Sequence, residues 1–193
     1  MSAATDALPA ATCATDFSLP EADASRAGVA RGWLWLSLLA LIGSGALSIV
    51  LVLSRAPQFQ HLLPLADFFR VALVVHVDLS VLVWFVSIGG ILWTLSGSTR
   101  AMGLNRAALA TCALGTLLMT LSPFIGRGGP LMANYIPMLD SATFRAAVLV
   151  FGAGALLLML RSLIKARPVG PAVDGAGALR FGLNASVVAT AVA

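Results

Sequence analysis

The sequence predicts an all-α polytopic membrane helix bundle, with four complete transmembrane helices and the start of a fifth. Of the 193 residues, 59% are hydrophobic and only 10% are charged, and the mean hydropathy is +0.95. The apolar residues lie in runs of about 18 or more, which is long enough to cross a bilayer. These runs lack the polar face at helical spacing that a water-soluble helix needs. The basic residues are scattered at the ends of the runs, which predicts contact with membrane lipid and no nucleic-acid partner.

The chain divides into a polar tail over residues 1–31 and a transmembrane helical domain over residues 32–193. The tail is rich in Ala, Thr, Ser and Asp without periodicity, so we expect it to be disordered. The predicted spans are about 33–53, 68–95, 107–125 and 144–164, with a partial span over 181–193. Thirteen helical residues cover about 20 Å of a hydrocarbon core of about 30 Å. This favours a chain that stops within a helix over a short tail lying on the membrane.

Residues at the ends of the spans predict their position in the bilayer. Trp33 and Trp35 open the first span, as interfacial aromatic residues do. Arg145 and Arg161 stand near the two ends of the fourth span, where long side chains can reach the surface. The first span also has a small-residue face for close helix packing, formed by Gly43, Ser44, Gly45 and Ser48.

The distribution of Lys and Arg predicts that the N-terminus is inside, in the inner (cytoplasmic) membrane if the protein is bacterial. With that orientation eight basic residues lie inside and four outside, as the positive-inside rule requires. The inside set is Arg26, Arg31, Arg100, Arg106, Arg161, Lys165, Arg167 and Arg180, and the outside set is Arg55, Arg70, Arg127 and Arg145.

The second span is distinguished by ionisable residues within its apolar body, His76 and Asp78. Each costs about 2–3 kcal/mol to insert, so such residues usually face the protein interior or a cofactor. Below His76 lies a helical stripe of mostly small residues, which leaves space beside the helix: Ser80, Val83, Ser87 and Gly90. That space suits either a flat macrocycle with His76 as an axial ligand or a neighbouring helix.

The ionisable residues each allow two interpretations. His76 is either an axial ligand or a neutral side chain bonded to a neighbouring helix, and the sequence weighs these about equally. Asp78 points about 200° away from His76, and a neutral carboxyl bonded to a backbone carbonyl or hydroxyl is favoured. Arg70 lies about 9 Å before His76 along the helix, either reaching the surface or pairing with cofactor carboxylates. His61 is expected in a solvated loop.

The segment VVHVDLSVLVWF, with GPLMANYIPMLD after the third span, resembles subunit I of the haem-copper oxidase superfamily. The resemblance is strongest to the branch with the cbb3-type cytochrome c oxidases and the nitric oxide reductases. It covers most of residues 32–193, or roughly the opening third of a typical subunit I. In that family the second-helix histidine, here His76, ligates the low-spin haem, and an arginine near it, here Arg70, meets the haem propionates.

The resemblance implies the N-terminal part of a respiratory terminal oxidase that takes electrons from a cytochrome c-type donor and reduces dioxygen. The high-spin haem and copper are then expected only in the remaining C-terminal part, and the other oxidase subunits are partners. With His76 as the one histidine at membrane depth, the fragment alone is expected to be inactive. Two alternatives remain: a small membrane transporter with His76 and Asp78 as a proton relay, and a non-catalytic membrane subunit or assembly factor.

Overall fold

The predicted membrane bundle of helices is confirmed by a computed structural model, which describes residues 23–58, 66–125, 128–131, 136–166 and 175–192. Four helices in the described residues are long and apolar enough to cross a membrane, and a shorter apolar helix follows them. In chain order the elements are α1 (Ala24–Leu53), α2 (Ala66–Val77), a π-helical segment (Asp78–Val83), α3 (Trp84–Ser96), α4 (Met102–Ile125), β1 (Pro130–Leu131), β2 (Met138–Leu139), α5 (Ala142–Ile164) and α6 (Gly175–Val192).

Helix α1 begins at Ala24, nine residues before the predicted start at Trp33, so the predicted polar tail over residues 1–31 is too long. Asp23 caps the helix, because its carboxylate accepts hydrogen bonds from the Arg26 amide at 2.9 Å and the Arg26 guanidinium at 3.0 Å. These bonds hold the pKa of Asp23 below its usual range, and the bond from the Arg26 amide has the largest effect. The cap therefore stabilises the first turns of α1 in a stretch of sequence that is not apolar.

The second span is one continuous rod whose middle turn is wider than an α-helix. Helix α2 passes directly into the π-helical segment Asp78–Val83 and then into α3. The carbonyl of His76, at the start of this wider turn, accepts hydrogen bonds from the hydroxyls of Ser44 at 3.0 Å and Ser80 at 2.8 Å. These hydroxyls satisfy a backbone acceptor where the α-helical bonding pattern changes.

Trp33 lies in the core and not at the membrane interface, so that prediction is wrong for this residue. Its ring is fully buried, and its indole N–H donates to Asn105 Oδ1 at 3.3 Å. Asn105 donates in turn to Thr94 Oγ1 at 2.8 Å, which joins α1, α3 and α4 through one buried network. Trp35 is exposed, as the interfacial prediction requires. The buried amide of Asn105 explains the difference, since an indole N–H in a core needs a partner.

Arg161 was expected to reach the membrane surface, yet its side chain is buried at 1% exposure. It turns inward to donate to the carbonyls of Trp93 and Ser98 at the C-terminal end of α3. A cation at this position stabilises the unpaired carbonyls and the negative end of the helix dipole. Arg145, at the other end of α5, is exposed as expected and pairs with Asp140 at 2.7 Å.

Helices α4 and α5 form the closest helix pair, and a two-residue antiparallel hairpin joins their ends. In the hairpin Pro130 pairs with Leu139 and Leu131 with Met138. Helix α4 begins at Met102, five residues before the predicted span, because the turn 97–101 is short. Helix α6 begins at Gly175, six residues before the predicted start at 181, and Trp93 of α3 donates to its Ser186 hydroxyl at 2.9 Å.

Candidate functional site

His76 lies where α1 and α2 meet, and its ring is held by two serines of α1. Nδ1 lies 2.8 Å from the Ser44 hydroxyl, 3.1 Å from the Ser48 hydroxyl and 2.9 Å from the Ser44 carbonyl oxygen. The small-residue face predicted on the first span therefore does pack closely, and two of its members bind the histidine. The imidazole is oriented by a neighbouring helix at membrane depth.

The hydrogen-bond contacts favour the tautomer of His76 that has its proton on Nδ1. A carbonyl oxygen can only accept, so the contact with the Ser44 carbonyl requires Nδ1 to donate. The two hydroxyl hydrogens are directed elsewhere: Ser44 donates to the His76 carbonyl, and Ser48 donates to the Ser44 carbonyl at 3.2 Å. Nε2 then carries a lone pair, and no described residue hydrogen-bonds to it.

This arrangement fits a metal-ligating histidine. Such a histidine binds the metal through one ring nitrogen and donates the other N–H to a carbonyl or carboxylate, which fixes its tautomer and orientation. The ring is only partly buried, so it is not sealed within the described bundle. Among the described residues no group of three or more His, Cys, Asp and Glu side chains can hold a metal ion, so His76 would act here as a single protein ligand.

The predicted small-residue stripe below His76 is packed against a neighbouring helix. Trp33 of α1 lies directly over Gly90, so closely that a Cβ added there would come within 2.5 Å of the indole ring. Val83 and Ser87 are fully buried. The space beside Gly90 is therefore filled by the neighbouring helix α1 and not by a macrocycle. A macrocycle bound to His76 would have to approach the imidazole from another side.

Asp78 is buried at 1% exposure, and neither carboxylate oxygen has a hydrogen-bond partner among the described residues. The expected bond to a carbonyl or hydroxyl is therefore not found. The structure also does not join Asp78 to His76, whose Nδ1 is engaged by α1. The direct pairing on which a proton relay between these two residues would rest is absent from the described contacts.

Arg70 is exposed on α2 and forms no hydrogen bond or ion pair within the described part of the chain. It lies six residues before His76, which is about 9 Å along the axis and about 240° around it. The structure therefore does not bring Arg70 to the imidazole. Arg55 also lies at this end of α2, with its guanidinium 4.5 Å from the centre of the Phe69 ring. His61 lies outside the described residues.

The polar residues that organise the rest of the bundle leave only weak signals in the amino-acid sequence. Asn105 lies outside the predicted third span, although it is fully buried in α4. Its partners Trp33 and Thr94 lie far away in sequence, so no local pattern marks the network. Ser44 and Ser48 could be found, because small residues four apart on an apolar helix mark a face where another helix approaches.

The fold and this site define the class: a polytopic α-helical membrane protein with one histidine held between two apolar helices of its described part. No family model matches the chain, and no solved structure matches it. The chain is similar to an uncharacterized protein, RP382, of Rickettsia prowazekii (strain Madrid E), at 30% identity over 159 residues. The match covers 70% of this chain and 31% of that relative, so the chain spans about a third of its length.

Proposed function

We propose that this chain is the N-terminal part of a haem-copper oxidase subunit I, in which His76 is an axial ligand of the low-spin haem. The observation that carries the proposal is the position of Nδ1 2.9 Å from the Ser44 carbonyl, with Nε2 left without a hydrogen-bond partner among the described residues. The resemblance of VVHVDLSVLVWF to the second helix of that family supplies the identity of the metal group. The match to about a third of a longer relative is compatible with this proposal.

In this proposal the haem, when bound, supplies reversible one-electron transfer at its iron. The residues of this chain hold and orient its ligand. The Ser44 carbonyl and the hydroxyls of Ser44 and Ser48 hold the ring plane and favour the tautomer whose Nε2 can bind a metal. The apolar side chains of α1 and α2 cover part of the ring and lower the dielectric on that side.

The further parts of the proposal concern the complete oxidase. A cytochrome c-type donor would supply the electrons, dioxygen would be the terminal acceptor, and the remainder of subunit I would hold the high-spin haem and copper. The protein would reside in a bacterial inner membrane with its N-terminus inside. Arg70 is the chain's own candidate for a haem propionate, and its exposed side chain leaves it available for that contact.

The test is the reduced-minus-oxidised absorption spectrum of the full-length subunit, purified with its partner subunits, with and without His76→Ala. We expect the substitution to abolish the low-spin haem signal and oxygen uptake. His61→Ala is the matched control, because it removes the other histidine of the chain and should change neither signal. Ser44→Ala removes the hydroxyl 2.8 Å from Nδ1 but keeps the Ser44 carbonyl, so it should lower haem occupancy or turnover by less than the about 10- to 100-fold expected when a ligand loses its hydrogen-bond partner. A normal spectrum and normal oxygen uptake in His76→Ala would refute the proposal.

A further inference from the structure

The residues in line with His76 on the second span differ from those that a regular α-helix would place there. Trp84 follows His76 by eight residues, and the π-helical turn between them contributes about one extra residue. The other seven residues make about two α-helical turns, so Trp84 lies on the same side of the rod as His76 and about 10 Å along it. His76, Ser80 and Trp84 are all partly exposed. Val83 and Ser87, which a regular helix would align with His76, are instead fully buried.

Trp84 stands at an unusual depth for a tryptophan that is partly exposed. Tryptophans of membrane proteins concentrate at the two interfaces, where the indole N–H can bond to water or to headgroups. Trp84 lies instead near the middle of the membrane-spanning helix Phe68–Ser96. In the hydrocarbon region neither water nor lipid tails offer an acceptor, so a lipid-facing indole at this depth is costly.

The indole N–H of Trp84 has no hydrogen-bond acceptor within the described part of the chain. The two buried tryptophans of the bundle each have one. Trp33 donates to Asn105 at 3.3 Å, and Trp93 donates to Ser186 at 2.9 Å. The packing of this bundle therefore supplies an acceptor to an indole that it encloses, and the acceptor for Trp84 should belong to a group that covers this side of the second span.

We propose that Trp84 contacts the flat group that His76 binds and donates its indole N–H to a polar acceptor on that group. This inference rests on the proposed function, in which the group is a haem. His76 Nε2 has no partner among the described residues, and Trp84 stands in line with it. Ser80 lies between them, is small, and directs its hydroxyl to the His76 carbonyl at 2.8 Å, so it does not compete for the acceptor. Trp84 and Arg70 lie on opposite sides of His76 along the rod and would contact different edges of the group.

The experiment uses the full-length subunit purified with its partner subunits and measures two properties of the low-spin haem. These are the position of its reduced absorption band and the rate at which it is lost to an excess of a haem-binding apoprotein. Trp84→Phe keeps an aromatic ring and removes the N–H donor, and Trp84→Leu removes both. The matched control is Trp35→Phe, which makes the same exchange at an exposed tryptophan of α1. The unfolding temperature of each assembled variant reports changes in packing.

We expect Trp84→Phe to shift the low-spin band and to accelerate haem loss by about three- to tenfold, as for the loss of one hydrogen bond. Trp84→Leu should accelerate it further, because the ring contact is lost as well. Trp35→Phe should leave the band in place and change the rate by less than about twofold, as for an exposed residue away from the site.

The outcomes separate this inference from the proposed function. If Trp84→Phe behaves like Trp35→Phe while His76→Ala abolishes the low-spin signal, Trp84 does not contact the haem and this inference alone is wrong. A lower unfolding temperature of Trp84→Phe, with an unchanged band and rate, would show that a protein helix covers Trp84 and would also overturn it. A normal spectrum in His76→Ala refutes the proposed function and this inference with it.

Discussion

Replacing Gly115 by alanine should separate α4 from α5, because the two backbones touch at this residue. A Cβ added to Gly115 would lie 2.5 Å from the backbone nitrogen of Phe151 and 2.7 Å from its Cα. Non-bonded carbon contacts normally fall at about 3.5–4.0 Å, so the helices would have to move apart by roughly 1 Å. The atoms in the way belong to the backbone of α5, which cannot rotate aside as a side chain can. Gly154 makes the reciprocal approach, since its Cβ would lie 2.7 Å from the Cys112 backbone nitrogen.

Two opposing free-energy changes set the size of the effect. Overpacking a well-packed site costs about 1–3 kcal/mol. Replacing a helical glycine by alanine returns about 0.5–1 kcal/mol of conformational entropy. Gly152 of α5 offers a matched control, because nothing lies within 4 Å of the Cβ that alanine would add there. The two substitutions share the entropy gain, so their difference isolates the overpacking cost of about 1–3 kcal/mol.

The assay is reversible unfolding of the chain in mixed micelles, followed by helical circular dichroism as the denaturing detergent is increased. Gly152→Ala should raise the free energy of unfolding slightly, and Gly115→Ala should lower it. If Gly115→Ala stabilises the protein as much as Gly152→Ala does, the close contact between α4 and α5 does not exist and the packing described here is wrong.

Three further outcomes follow from the described contacts. Asn105→Leu should lower the free energy of unfolding by about 1–3 kcal/mol, because it leaves the buried Trp33 N–H without an acceptor; the same unfolding assay measures it, and an unchanged stability would contradict the network. Because the Arg26 amide and guanidinium lower the pKa of Asp23, its capping contribution is complete above the unfolded pKa of about 4 and is lost as the pH falls through the lower folded value. Amide exchange at the start of α1 should accelerate in that acid range, and Asp23→Asn should abolish the pH dependence; persistence of the effect in the variant would point to another group. For topology, a cysteine replacing exposed Gln58 should react with an impermeant reagent from outside; labelling from the cytoplasmic side alone would reverse the orientation.

The long apolar runs predict most of the helices because each reflects a local property of the chain. A bilayer requires backbone hydrogen bonds to be made within a segment, so hydropathy and length are enough to place a spanning helix. Boundaries are harder, since they depend on caps and contacts. The early start of α1 rests on Asp23 and on Arg26, which reaches the end of α3 at Leu95. Residues 24–31 include three Ala and two Arg, which favour helix, but they lie outside the apolar run that marks the span.

The candidate site was also partly predictable, because the cost of burying an ionisable residue in a membrane span can be read from the local sequence. His76 stands out because an ionisable residue within a membrane span carries a cost that needs a partner. Its partners in α1 lie 28 and 32 residues away, so their identity depends on how the helices pack. The inward turn of Arg161 also depends on how the helices pack, and so could not be predicted from the local sequence. A basic residue near a helix end can reach either the surface or a neighbouring helix terminus, and the carbonyls that decide between them belong to α3.

The π-helical segment adds a residue to the second span without turning its two halves against each other. A π turn holds about one residue more than an α turn, so removing a single residue from Asp78–Val83 would restore regular α-helix. Because the wider turn and the α turn that replaces it each complete one rotation, this deletion would leave Gly90 under Trp33 and His76 beside α1. The same deletion in a regular helix would rotate everything beyond it by about 100°. The second span should therefore accept a one-residue deletion in this segment that its α-helical parts would not accept.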